Sequence, residues 1–506
     1  MKIALISPYE NVGSFGIRTL SSCLKQEGHD VRVFFLRTSF WRPYPEEVLE
    51  QFVELLRDTD LVGITLTTNY FDIAVQVTRK LKEVLGIPVL WGGIHPTIRP
   101  EECLEHADMV CIGEGEEAVV ELAGELEDGR KSYDVAGVWY RVRGKIIRNE
   151  LRPLIQDLDS IPFQDYDYTG HFILKSGLIL PMDANLLCFY SSARYSTLFT
   201  RGCPFGCSFC CNNMLNRLWP DQKTVRKRST DNIIRELVEM KNRLPFMERV
   251  LLEDDGFFFS TEEEIRELCG RYSAEVGIPL WVGGATPLTL TREKLAPLVD
   301  AGMEHIRMGI QTGNARMKKL FRRNYSNQKV IEATGLINEF RDSISTTYDI
   351  ILDNPWEGEE DLIETLLLVS KIRAPYELLL FSLTFYPGTE LYEKARADGI
   401  ITDDRKDVYQ RYYGSRNCAR FYINRLFFLV QAYGARGRRL SPRTMARLTD
   451  RTLRRIGLSR LIYIWLRGRV IILRMGYLLN QGLKKILSGN FSALISYLKH
   501  RLVQES

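Results

Sequence analysis

Short apolar runs alternate with stretches of helical spacing through the first quarter of the chain. Lys2-Ile-Ala-Leu-Ile-Ser7 reads as a strand, followed by the turn-rich Ser7–Gly16 and a helical pattern through Leu24. Val31–Leu36, Leu61–Leu66, Val89–Trp91 and Met109–Ile112 continue the strand series, with helical spacing at Asp72–Leu85 and Glu116–Glu127. Strands that are apolar on both faces and separated by helices predict a parallel sheet covered on both sides. Ligands of such sheets sit beyond the carboxyl ends of the strands. Those ends are Ser7–Gly16, Thr67–Asn69, Gly92-Gly-Ile-His-Pro-Thr97 and Gly113-Glu-Gly-Glu116.

Leu151–Asp167 is a polar, proline-marked connector, and a second βα series follows it. Its strands are Thr197–Thr200, Arg249–Leu252 running into carboxylates, Leu280–Gly284, His305–Gly313, Thr346–Leu352 and Leu379–Thr384. The pattern predicts an α/β chain in four parts: residues 1–150, a linker over 151–190, residues 191–400, and a helical region over 401–506. Residues 171–197 carry little legible pattern.

Charge changes this picture at one end. The chain has 506 residues with 68 Lys and Arg against 64 Asp and Glu, a net of +4. From Arg411 to Ser506 the count is 20 against 2, so an acidic body carries a strongly basic tail. Ten cysteines without regular pairing, and no signal-peptide pattern in Met1–Leu36, point to a reducing, cytoplasmic setting.

Three of those cysteines carry the chemistry. Cys203, Cys207 and Cys210 stand in Arg201-Gly-Cys-Pro-Phe-Gly-Cys-Ser-Phe-Cys210 with spacing C-x3-C-x2-C. Three thiolates are one fewer than a 4Fe–4S cube accepts, which leaves one iron open to a small molecule. Structural zinc normally closes its tetrahedron with paired C-x2-C knuckles, and no partner knuckle follows. The motif resembles the radical S-adenosylmethionine (SAM) superfamily. Gly-Gly-x-His-Pro-Thr followed by Gly-Glu-Gly-Glu, upstream of such a motif, is similar to its cobalamin-dependent branch. The resemblance covers about residues 1–400. It implies a Rossmann-like cobalamin-binding domain, a partial (β/α)6 TIM-type barrel, and a 4Fe–4S cluster, SAM and cobalamin as cofactors.

The resemblance also implies roles. Cys203, Cys207 and Cys210 would hold the cluster, and Phe209 would lie near the adenine of SAM. Glu253, Asp254 and Asp255 occupy the strand end that faces the SAM amine, a task for one of the three. Gly309, Gln311, Thr312 and Gly313 match a G-x-E-S-G segment that touches the SAM ribose and carboxylate, with Gln311 in place of the usual glutamate. Ser7, Gly16, Thr67, Asn69, Gly92, Gly93, His95, Gly113, Glu114 and Gly115 would surround cobalamin. No histidine has an Asp two residues before it, so the D-x-H-x-x-G source of an axial imidazole is missing. His95 is either a loop histidine making local hydrogen bonds or a residue beside the cofactor.

The chemistry so implied is reductive cleavage of SAM, with a one-electron donor such as flavodoxin or ferredoxin. Hydrogen is then abstracted from an unactivated carbon, and in this branch a methyl group commonly follows from cobalamin. Cyclisation, coupling, ring rearrangement and oxidation are the alternatives, as is a non-catalytic iron–sulfur protein. The tail bears on the substrate. Leu426–Val430, Leu461–Leu466, Val470–Leu473 and Phe491–Leu498 are apolar runs between arginines, and Arg460, Arg467 and Arg474 recur every seven residues. No run has the roughly 18 residues of a membrane span. The pattern fits a helix lying on an anionic membrane and a lipid or other hydrophobic substrate. A helical cap docked on the acidic body and an RNA-binding segment are its rivals.

Overall fold

The computed structural model describes residues 1–130, 132–223, 225–411, 414 and 422–470. Five parallel strands build the centre of the first sheet: β1 (Lys2–Ser7), β2 (Asp30–Phe35), β3 (Leu61–Thr65), β4 (Val89–Gly92) and β5 (Met109–Cys111). Antiparallel β6 (Val138–Val142) and β7 (Lys145–Ile147) extend it beyond β5. The spatial order is β7-β6-β5-β4-β3-β1-β2 followed by β8 (His171–Lys175) and β9 (Leu178–Pro181). The order reverses between β1 and β3, and a crevice opens there beyond the carboxyl ends. Ile3, Leu5, Val62 and Ile64 are buried, as strands covered on both faces require.

Part of the connector belongs to this sheet. β8 runs parallel to β2, with His171 opposite Val33. Asp165 fastens the segment: it accepts from Ser21 Oγ at 2.5 Å and from His171 Nε2 at 3.0 Å, and pairs with Lys25 at 2.8 Å. Arg18 donates to Val12 O and Asp165 O while its guanidinium lies 3.9 Å from the Tyr166 ring centre. A buried cation is tolerated because Nε and Nη1 are bonded and the faces of Phe35 and Tyr166 lie against the guanidinium.

The second sheet has six parallel strands in sequence order: β10 (Arg194–Thr197), then, after a two-stranded ribbon of β11 (Thr200–Arg201) and β12 (Arg226–Lys227), β13 (Arg249–Leu252), β14 (Leu280–Ala285), β15 (Met303–Gln311), β16 (Ser345–Leu352) and β17 (Glu377–Ser382). β10 and β17 do not pair with each other, so the barrel is open. The first strand ends at Thr197, where the sequence pattern places its start. The reason lies in the Asp254 carboxylate. It takes the backbone N–H groups of Phe199 and Thr200 out of the ladder and turns the chain into the ribbon.

Helix Tyr422–Gly434 packs against helix Glu359–Lys371 and β17, burying Ile423, Leu426, Phe427 and Val430. Asn424 Nδ2 donates to Asp353 at 2.8 Å. The described part of the basic tail is thus docked on the barrel. Among the described residues no helix is long and apolar enough to cross a membrane. Cys418, Arg474, Leu473 and the run Phe491–Leu498 lie outside the described residues.

Candidate functional site

The loop between β11 and helix Cys211–Leu218 carries the three cysteines. Cys210 N donates to Cys207 O at 3.1 Å, Asn216 Nδ2 donates to Cys203 O at 2.9 Å, and Ser208 Oγ donates to Leu320 O at 2.6 Å. All three thiols line one wall of a cavity of about 1,260 Å3 inside the barrel, with Phe209 beside them. Cys211 does not line it, and its thiol adjoins that of Cys210. Burial pushes the Cys203 thiol up to about 11 and raises Cys207, while Cys210 is raised first by the adjoining Cys211 thiol and then by burial. Iron would therefore have to displace protons on binding. Among the described residues no three His, Cys, Asp or Glu converge closely enough for a single metal ion. A cube sets a lighter demand, one cysteine for each of three separate irons, and three thiols on one cavity wall fit it.

Arg323, which the motif does not contain, organises this wall. Its Nη1 donates to Cys207 Sγ at 3.5 Å, and its Nη2 donates to Gly309 O at 3.1 Å and Gln311 Oε1 at 2.8 Å. One buried cation thereby joins a cluster cysteine to the Gly309–Gly313 segment. Gly309 and Gln311 line the cavity. Thr312 and Gly313 do not. Thr312 Oγ1 contacts Thr365 Oγ1 at 3.1 Å, and a Cβ on Gly313 would come within 2.9 Å of Thr365 Cα. Both follow the end of β15 at Gln311 and pack against helix Glu359–Lys371. Phe209 faces the cavity with its ring 5.1 Å from that of Phe321.

The three carboxylates at the end of β13 separate by alternation. Asp254 is buried, accepts from Phe199 N at 2.9 Å and Thr200 Oγ1 at 2.8 Å, and is pushed by burial up to about 6. It serves the loop. Glu253 and Asp255 line the barrel cavity, which Asp254 also borders, and Asp255 accepts from Asn212 Nδ2 at 2.8 Å. The Glu253 carboxyl is raised by burial, against the opposing charges of Arg307 and Arg194.

A second cavity, about 620 Å3, lies between the carboxyl ends of the first sheet and the barrel. Gly16, Gly92, Gly93, Gly113, Glu114 and Gly115 line it, as do Leu5, Leu20 and Phe163. Gly93 has φ +103°, and a Cβ there would press within 2.9 Å of Leu66 O. At Gly16 a Cβ would meet nothing within 4 Å, because that position opens into the cavity. Backbone exposed at several strand ends, with apolar walls, fits a broad flat cofactor that must approach the main chain. Glu253 and Asp255 line both cavities, so the two chambers meet at the end of β13.

Four of the residues that the sequence places near cobalamin do not line this cavity. Ser7 is fully buried under the strand end. Thr67 precedes a short 3-10 turn, Thr68–Tyr70, and Asn69 donates from it to Tyr409 O at 2.9 Å. His95 is fully buried, bonded through Nδ1 to Thr68 Oγ1 at 3.2 Å, with the rings of Phe71 and Tyr409 each 5.2 Å away. The turn after Gly93 sends its side chain behind the sheet, where burial depresses its pKa to about 3. Among the described residues no histidine lines the 620 Å3 cavity. Glu114 reaches across the domain boundary. It pairs with Arg201 at 2.9 Å and Arg226 at 2.7 Å and accepts from Ile155 N at 2.8 Å, while Glu116 pairs with Arg201 at 2.6 Å.

Comparison with known proteins agrees with this architecture. Residues 1–123 match the B12 binding domain and residues 197–369 the radical SAM superfamily. An uncharacterised methyltransferase of Pyrococcus horikoshii is 27% identical over 394 residues, covering 76% of this chain and 79% of that one. The anaerobic magnesium-protoporphyrin IX monomethyl ester cyclase of Rubrivivax gelatinosus is 28% identical over 332 residues, 58% of this chain and 55% of its own. The fold is shared with the radical SAM methyltransferase TsrM from Kitasatospora setae, solved with cobalamin and a [4Fe-4S] cluster, at a TM-score of 0.61 and 19% identity over 78% of this chain and 75% of that one. With a B12 binding domain placed against a radical SAM barrel, the chain belongs to the cobalamin-dependent radical SAM enzymes.

Proposed function

We propose that this protein methylates an unactivated carbon of a small hydrophobic molecule. One observation carries the reading: the glycine-walled cavity and the cysteine-lined barrel cavity meet at Glu253 and Asp255. Bound there, the cluster with SAM supplies a hydrogen-abstracting radical, and cobalamin supplies a transferable methyl group. Cys203, Cys207 and Cys210 are assigned to the cluster, and Gly16, Gly92, Gly93, Gly113 and Gly115 to the cobalamin face. Asp255, oriented by Asn212, suits an ammonium group such as that of SAM.

Glu253 accepts a hydrogen bond or holds a proton for the substrate between the two chambers. The Arg307–Asp349 pair, 2.9 Å apart on the barrel wall, keeps a guanidinium fixed near the same point. Trp281, Leu251 and Leu379 provide apolar walls that exclude water from the radical. These walls, and relatives whose named substrates are tetrapyrroles, support a hydrophobic substrate.

The test is a reduced, cobalamin-supplied preparation incubated with SAM and candidate substrates. S-adenosylhomocysteine and 5′-deoxyadenosine forming together with a product heavier by one methylene are expected. The cyclase relatives favour a second reading, radical cyclisation or oxidation. That reading predicts 5′-deoxyadenosine alone, and such a result would overturn methyl transfer.

A further inference from the structure

We propose that the end of the described tail is a docking surface for an anionic phospholipid bilayer. Residues 458–470 form a helix that is apolar on two sides. Leu466 is buried and Ile462 packs against the core. The opposite face presents Leu461, Ile464 and Trp465, which are 64%, 63% and 60% exposed. Positions i, i+3 and i+4 make these one continuous stripe. A helix satisfied by its own protein exposes polar groups there.

A groove of about 560 Å3 runs beside the stripe, walled by Leu440, Leu461 and Trp465. Arg439, Arg447 and Arg469 stand around it. Among the described residues none of the three has an ion-pair partner, although the acidic body offers many carboxylates elsewhere. Arg469 instead lies 4.9 Å from the Trp465 ring centre. Tyr433 also borders the groove, 9% exposed, with its hydroxyl buried. Tryptophan and leucine for the acyl boundary and guanidiniums without a carboxylate partner for phosphates together match an anionic lipid surface.

The surface also has a useful position. Tyr433 lines the groove and Ala435, two residues on, lines the barrel cavity, so a bilayer held here lies beside one end of the reaction chamber. The inference stands apart from the methyl-transfer reading, and its test needs no turnover.

The full chain, with its cluster reconstituted, is floated with vesicles of phosphatidylcholine mixed equally with phosphatidylglycerol, and with phosphatidylcholine alone. Binding to the mixed vesicles is expected to be much the stronger. The exposed-face variant Leu461→Glu/Ile464→Glu/Trp465→Glu should lose it about a hundredfold or more. Arg447→Gln and Arg469→Gln should each weaken it about fivefold. Circular dichroism and iron per chain should not change in any of these variants. No flotation of the unaltered chain, or equal flotation of the exposed-face variant, would overturn the proposal. So would displacement from the mixed vesicles by a short RNA, which would make the arginines a nucleic-acid site. Inorganic phosphate releasing the chain as well as the lipid headgroup binds it would mark a soluble anion site and overturn it too.

Discussion

At the scale of single residues, Arg323 concentrates the most function in one side chain. It touches Cys207, the cysteine we assign to the cluster, through sulfur, and Gly309 and Gln311 through oxygen. Its charge beside Cys207 favours the thiolate and the more reduced cluster, since hydrogen bonds to sulfur and local net charge set cluster potentials. Replacing Arg323 by Met keeps the length and removes both effects. The midpoint potential of the cluster, followed by electron paramagnetic resonance in a redox titration, should fall. The half-buried Gly309 and Gln311 oxygens lose their donor, and the melting temperature should drop in step with about 1–3 kcal/mol. An unchanged potential would show that Arg323 only packs the segment.

At the scale of an element, the short helix Ile94–Ile98 after Gly93 carries a buried titratable group. His95 has a pKa near 6.5 when unfolded and about 3 when folded, because burial disfavours its charge, reinforced by Arg99 and Arg405. Its one facing carboxylate, on Glu102, lies 3.9 Å away, and its hydroxyl neighbour is Thr68. The unfolded chain binds the proton first, so this contribution to stability is full above pH 6.5 and is lost as pH falls below it. Between about pH 7.5 and about pH 5.5 the loss is about 1.4 kcal/mol. His95→Phe suits the aromatic surroundings and cannot titrate. Urea unfolding at the two pH values should show a smaller pH dependence in the variant by that amount.

At the scale of the whole molecule, the two domains are joined where they must cooperate. Glu114 and Glu116 from the first sheet hold Arg201, two residues before the first cluster cysteine, and Glu114 also holds Arg226 on the neighbouring strand. Burial raises the Glu114 carboxyl, and the Arg226 hydrogen bond with the charges of Arg201 and Arg226 outweighs it, leaving its pKa below the usual range. Glu114→Ala strands a guanidinium that is 5% exposed, at a cost of about 3–5 kcal/mol. Thermal unfolding should split into two transitions as the domains uncouple, and cobalt retained per chain should fall. A single transition at the original temperature would remove the network from any coupling role.

The chain's own pattern determined the parallel centre of the first sheet, the parallel strands of the second and the cysteine loop, but not the edge strands β6 to β9. Apolar runs at strand length, helical spacing between them and a C-x3-C-x2-C turn are local signals, readable without knowing what packs on what. Distances across the fold decided the rest. Gly16, Gly92 and Gly113 face a cavity while Ser7, Asn69 and His95, from the same strand-end loops, turn behind the sheet. Sequence spacing does not reveal that choice, because it depends on pleat and on the elements that close over each loop. Arg323 is 113 residues from Cys210 and carries no motif, so only the barrel's closure brings it to the cluster wall. Glu114 reads as a cofactor residue in its Gly-Glu-Gly-Glu setting; it does border the cavity, and tertiary packing also gives it two arginines. Charge found its partner across a domain boundary, where desolvation makes an unpaired carboxylate too costly to leave alone.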